Sequence, residues 1–290
     1  MLLPDRVFNT IDISKTVRTF LVEYKMRVMI FFVAVAFSIL ATLGYCFPRE
    51  GVKIFLGMRI PEEFVSAAYF FSGDGQHLLG SRHFGGDGTY DLRLAKAHYL
   101  RSLALDPKQK FVRYQLARIA FIERRSDDAL ALLDGEAQLQ PEFARVYYVR
   151  GLVYGYDKKF DEAAMSLEEF VRRTPEEWAG HLDLGWIYFQ QGNFEGMRAE
   201  VESGLAHTQN AWLYNAQGLA MLNLGDYEGA VRALRTAKDM VDRMSHEDWG
   251  IAYIGNNPQI YEQGLSAMQK NINENLGIAE SKLLPAKASQ

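Results

Sequence analysis

The sequence predicts an all-α fold: a solenoid of about five helix–turn–helix units, with a single N-terminal membrane-crossing helix and a C-terminal capping helix. Three observations carry this. Ala117, Gly151, Gly185 and Gly218 stand 34, 34 and 33 residues apart, and twelve residues after each comes Ala129, Ala163, Met197 or Ala230. Two antiparallel helices approach closely only where a facing side chain is small, so small residues at a fixed period in both halves of a unit mark stacked helical pairs. Further landmarks follow the second small residue at four, seven and twelve residues: Tyr99, Ser102 and Pro107, then Leu133, Glu136 and Pro141, then Leu167, Phe170 and Pro175. Spacings of four and three share one helical face, and the proline ends the helix. The third observation is Val28–Phe47, twenty residues without a charge.

Taken in order, residues 1–27 are a tail whose Asp12–Arg27 part sets Ile13, Val17, Phe20, Leu21 and Tyr24 among basic residues. It reads either as an amphipathic helix at a membrane surface or as a continuation of the following span. Residues 28–47 would cover roughly 30 Å as a helix, the thickness of a bilayer's hydrocarbon. A buried core helix would have to cover every side of this segment, and a solenoid has no place for it. Twenty-seven residues precede the span and Tyr45 adjoins Cys46, which suits neither a secretory leader nor a lipoprotein signal, so the anchor is expected to stay. Arg6, Lys15, Arg18, Lys25 and Arg27 precede it and Arg49, Lys53 and Arg59 follow, which favours a cytoplasmic N-terminus and extracytoplasmic or periplasmic repeats in an inner membrane. Ala34, Ser38, Thr42 and Cys46 recur every four residues. Small residues so placed let helices associate in lipid with a second copy or another subunit, although such residues are also common in spans by chance.

After a linker at 48–60, the first unit occupies 61–109 and departs from the pattern. Counting twelve back from Ala95 reaches His83, in a stretch too rich in glycine for a good helix. The better helix is Pro61–Ser72, with Glu62 and Glu63 at its positive end. Residues 73–90 then form an exposed glycine-rich insertion. Four regular units follow at 110–143, 144–177, 178–210 and 211–243.

These units resemble the tetratricopeptide repeat. The resemblance rests on GLVYGYDKKFDEAAMSLEEFVRRTP and LGWIYFQQGNFEGMRAEVESGL, on the LALDP ending at Leu103–Pro107, and on the turns Gly192-Asn193-Phe194 and Gly225-Asp226-Tyr227. It spans about residues 90–240 and implies a right-handed superhelix whose first helix in each unit lines a concave groove. On that frame the lining is Phe111, Tyr114, Arg118 and Phe121; Arg145, Tyr148, Leu152 and Tyr156; Leu182, Trp186, Phe189 and Gln190; then Trp212, Asn215, Leu219 and Asn223. Exposed apolar patches mark partner sites, and Tyr, Trp and Arg are enriched at binding hot spots. The positions where some members clamp a partner's terminal carboxylate hold Tyr114, Arg118, Val149, Ala179 and Asp183, so that clamp is absent. A helix or extended peptide held by apolar contacts suits the groove better.

Residues 244–280 read as capping helices. Asn257-Pro258 is a helix start, and Tyr261, Leu265, Met268, Ile272 and Leu276 form one apolar stripe that would cover the last unit. Residues 281–290 read as a flexible tail.

Catalytic motifs are missing: no nucleophile elbow, phosphate loop, HExxH, paired CxxC or dinucleotide fingerprint. His77, His83, Asp74 and Asp87 match no metal-ligand spacing, and His98, His181 and His207 read as surface or packing residues. A net charge of −4 gives no basis for nucleic-acid binding, and one cysteine allows no intrachain disulfide. The expected function is that of a membrane-anchored scaffold without enzymatic activity or cofactor. Its partners would be the lipid bilayer and membrane or envelope proteins whose assembly it serves. Two alternatives stay open: a structural subunit using its span and convex face, and an import receptor facing the cytosol.

Overall fold

The computed structural model describes residues 72–86, 90–251 and 261–288. The expected span 28–47, with Ala34, Ser38, Thr42 and Cys46, lies outside them, as do residues 61–71 of the helix expected at Pro61–Ser72 and the start at Asn257-Pro258. Among the described residues there is no strand, and no helix is long and apolar enough to cross a membrane. Contacts divide the chain after Gln76. In the first unit, the Ser72 hydroxyl accepts from the Gly75 amide at 3.0 Å and so caps α1, Gly73–Ser81.

The described residues of 77–290 form the solenoid. After α1 comes a π-helical turn, Arg82–Gly86, and then α2, Leu92–Leu105. Four hairpins follow: α3 Val112–Ile122 with α4 Ser126–Leu139, α5 Arg145–Tyr156 with α6 Phe160–Arg173, α7 Trp178–Gln190 with α8 Phe194–His207, and α9 Ala211–Asn223 with α10 Tyr227–Val241. A short α11, His246–Ile251, precedes α12, Tyr261–Ala288.

The periodic landmarks are the hairpin cores. Ala117, Ala129, Leu133, Ala163, Leu167, Met197, Val201, Ala230 and Leu234 are all at most 1 % exposed. A Cβ on Gly151 would sit 2.5 Å from Leu167 Cγ, and one on Gly218 2.4 Å from Leu234 Cγ, whereas at Gly185 the nearest atom is Val201 Cγ2 at 3.3 Å. Gly218→Ala is therefore expected to destabilise by about 1–2 kcal/mol, overpacking outweighing the helix-propensity gain. Gly185→Ala should unfold within about 0.5 kcal/mol of the parent in a denaturant titration, because there the two terms offset each other.

A second period sits in the turns. Tyr90, Arg124, Lys158, Gly192 and Gly225 stand in left-handed backbone, at φ 42, 64, 60, 75 and 82° respectively. Each closes its hairpin at the same register, and Asn193 and Asp226 next to the glycines cap α8 and α10 by accepting from the Gly196 and Gly229 amides. Tyr90 in this series identifies α1 and its π turn as the first helix of the first hairpin.

That corrects the reading of residues 73–90 as an exposed insertion. Phe84 of the π turn is buried with Ala95, Tyr99 and Leu116, and Gly80, rather than His83, is the small residue facing the second helix. A Cβ there would meet the Tyr99 ring at 2.6 Å. Glycine's poor helix propensity is overridden because this surface must approach the Tyr99 ring closely.

The apolar stripe on α12 packs against α10 and its neighbours. Ile272 is buried with Ala237 and Val241 of α10, and Ala279 with Ala230 and Leu234. The helix continues to Ala288 where a flexible tail is expected from residue 281, and Leu283 packs against the same cluster, which extends the covered face.

Candidate functional site: an aromatic pocket between neighbouring hairpins

The residues expected to line the groove separate into three sets. Some close the seams between hairpins. Tyr114 is 8 % exposed and meets Phe143 edge-on, as does Phe111 at the left-handed start of α3. Leu182, Phe189 and Leu219 pack on the α8–α9 core, and Trp212 packs on the cluster that α12 completes. Others are held by polar partners. The Arg118 guanidinium bonds Gln115 and lies 4.4 Å from the Phe84 ring centroid, and Arg145 pairs with Glu177 at 3.3 Å. Asn215 accepts from Asn275 of α12, so the chain's own helix occupies that part of the fifth hairpin.

The third set gathers around a pocket of about 400 Å³. Phe121, Leu152, Tyr156, Trp186 and Gln190, all expected in the groove, line it together with Asp183, Lys158 and Phe160. The helical period explains the convergence, since 183, 186, 187 and 190 are one face of α7, and 151, 152 and 155 one face of α5. Tyr156 and Trp186 remain 54 % and 47 % exposed, unusual for large aromatic side chains. Phe121 meets Tyr156 edge-on at 5.8 Å, the Trp186 ring is stacked on Phe189 at 5.2 Å, and Arg124 covers one face of Tyr156 at 4.0 Å.

Asp183 is the residue that sequence reasoning undervalued. It is half-buried, and its Oδ2 accepts from the Tyr148 hydroxyl at 2.6 Å. Tyr148 itself leans on Phe170, ring centroids 4.9 Å apart, so its hydroxyl orients the carboxylate and its ring is largely committed to packing. Burial pushes the Asp183 carboxyl up to about 6, against the lowering effect of the Tyr148 hydrogen bond. Asp183 lies three residues before Trp186, a spacing that places both on one face. What the sequence does not contain is the enclosure of the carboxylate by two neighbouring helices.

The histidines behave as packing residues. His181 is buried, with Nδ1 bonded to Glu200 at 2.8 Å and Nε2 to the Pro175 carbonyl at 2.9 Å, and Glu200 raises its pKa above the usual range against desolvation. His83 stacks on His98 at 5.5 Å. Among the described residues no group of three His, Cys, Asp or Glu is placed to hold a metal, and Asp87 lies outside them.

Residues 148–206 match the family model of the tetratricopeptide repeat. No curated protein matches the chain. Among solved structures, PilF of Pseudomonas aeruginosa is 19% identical, covers 75% of this chain and 97% of its own, and superposes with a TM-score of 0.54. TTC0263, a tetratricopeptide protein of Thermus thermophilus, is 17% identical over 68% of this chain and 98% of its own, with a TM-score of 0.50. The MamA protein is 18% identical over 59% and 92%, also at 0.50. At these identities the likeness concerns the fold. The described residues of 77–290 form an all-helical, tetratricopeptide-like solenoid, and the pocket-bearing helices α5 and α7 fall largely within the stretch that matches the repeat family's model.

Proposed function

We propose that this protein is a membrane-anchored scaffold that holds a helix or extended segment of a partner protein in the concave groove of its second to fourth hairpins. The observation that carries this is the exposed aromatic wall, Tyr156 and Trp186, around an open pocket rather than buried in a hairpin seam. Tetratricopeptide folds typically act as interaction scaffolds, and neither a nucleophile with an adjacent base nor a metal cluster occurs at this site. The uncharged stretch Val28–Phe47 supports confinement to a bilayer, where tethering raises the effective concentration of membrane or envelope partners. The five basic residues before that stretch support a cytoplasmic N-terminus.

The test separates the groove from the core. Tyr156→Ser with Trp186→Ser removes exposed aromatic surface and leaves the hairpin cores intact, whereas Tyr148 and Phe189 are packing residues whose loss would confuse the result. The full-length double variant, purified from membranes in mild detergent, is expected to keep its melting temperature within a few degrees and to lose at least about tenfold of the partner recovered by the parent protein. Undiminished recovery would reject the groove and favour binding through the convex face. Release of the full-length chain from membranes by alkaline carbonate would reject the anchor.

A further inference from the structure

We propose that the pocket between α5, α6 and α7 receives the cationic end of a lysine or arginine side chain from the partner segment. This rests on the groove reading above and adds the chemistry of the residue that enters. Asp183 is the single acidic residue lining the pocket. Among the described residues no Lys, Arg or His forms an ion pair with it, and a neutral hydroxyl, that of Tyr148, is its hydrogen-bond partner. One donor satisfies a fraction of what a carboxylate can accept. Lys158 lines the same pocket without an ion pair to Asp183. A carboxylate withdrawn from water with no counter-charge is costly, and the usual remedy is an opposite charge.

The walls fit the rest of such a side chain. Phe121, Tyr156 and Trp186 offer aromatic surface to a methylene stem and π faces to its charge. Arg124 already shows the compatibility, its guanidinium lying 4.0 Å from the Tyr156 ring centroid. Gly151 and Gly155 on α5 let Leu167 and Ile187 pack closely against that helix, so the inner wall of the pocket is apolar. Burial holds the Asp183 carboxyl near 6, and a cation at its free oxygen would draw it back toward the ordinary range. An acidic or purely apolar side chain would leave the carboxylate as it is or repel it.

The experiment is selection of displayed random dodecapeptides on the full-length chain in mild detergent, followed by fluorescence-polarisation titration of the synthesised winners. Winners are expected to share one Lys or Arg at a fixed place among apolar residues. They should lose at least about tenfold in affinity on Asp183→Asn, a variant that keeps the acceptor for Tyr148, and similarly when that Lys or Arg becomes norleucine. Winners without a basic residue that bind Asp183→Asn equally well would overturn the cationic pocket and leave the groove standing. If no peptide binds, the groove reading fails and the inference with it. Labelled peptides covering residues 5–27 and 48–60 serve as further probes. Tighter Asp183-dependent binding by either would assign the pocket to the chain's own segment and overturn the partner assignment.

Discussion

Replacing Glu136 by alanine is expected to lower the stability of the solenoid by about 3 kcal/mol, which for a domain of this size lowers the melting temperature by roughly 6–12 °C. Helix α3 starts at Phe111, a non-glycine residue at φ 67°, with no side-chain cap of its own. Glu136 of α4 supplies the cap from the neighbouring helix. One carboxylate oxygen accepts from the Phe111 amide at 2.7 Å, and the other from the Tyr114 amide at 3.3 Å. Gln140 donates to the same group, and Glu136 is fully buried. Alanine would strand two amides at the positive end of a helix and leave a void, which is why the effect exceeds that of an exposed cap. Glu136→Gln keeps one acceptor while its NH2 faces the other amide, and should fall between the parent and the alanine variant in a denaturant titration. A loss under about 1 kcal/mol for alanine would show that water replaces the carboxylate.

Asp183→Asn is expected to raise stability by up to about 2 kcal/mol at pH 8, allowing for screening through the open mouth of the pocket. The ordinary value of 3.8 applies to the unfolded chain, and burial raises it to about 6 in the folded one. An acid whose pKa is raised on folding holds its proton more tightly when folded, so its charge opposes folding above that value. The advantage of the asparagine variant should therefore shrink as pH falls from about 6 to about 4 and vanish below. Thermal melts of both proteins across that range check it. An advantage that does not change with pH would place the gain elsewhere than in the carboxylate's charge. A substitution that strengthens the fold while weakening peptide binding is the pattern expected of a functional group held against its own stability.

The hairpins were legible because steric demands write themselves into sequence. Gly151 opposite Leu167 and Gly218 opposite Leu234 leave no room for a methyl group, and the 34-residue register follows. The first hairpin was hidden by two local effects. The π turn at Arg82–Gly86 interrupts the regular helical count, and the small residue facing Tyr99 is Gly80, about one turn before His83. Phe121, Leu152, Tyr156 and Trp186 were expected together from the tetratricopeptide resemblance, and they line one pocket. Leu182 and Phe189 occupy similar positions yet pack on the α8–α9 core, a difference that depends on how adjacent hairpins meet. Asp183 was visible as an inward position. That no described Lys, Arg or His pairs with it depends on which charged groups the neighbouring helices bring near, and no period records that.

The 28-residue α12 lays Ile272, Leu276, Ala279 and Leu283 over the apolar face of α10. Unsealed, that face would offer an end onto which the opening hairpin of another molecule could stack, and repetition of such a head-to-tail step yields an unbounded filament. With the terminus plugged, growth by that route is closed at this end. Any self-association of the repeat region must then use a lateral surface or the opposite end.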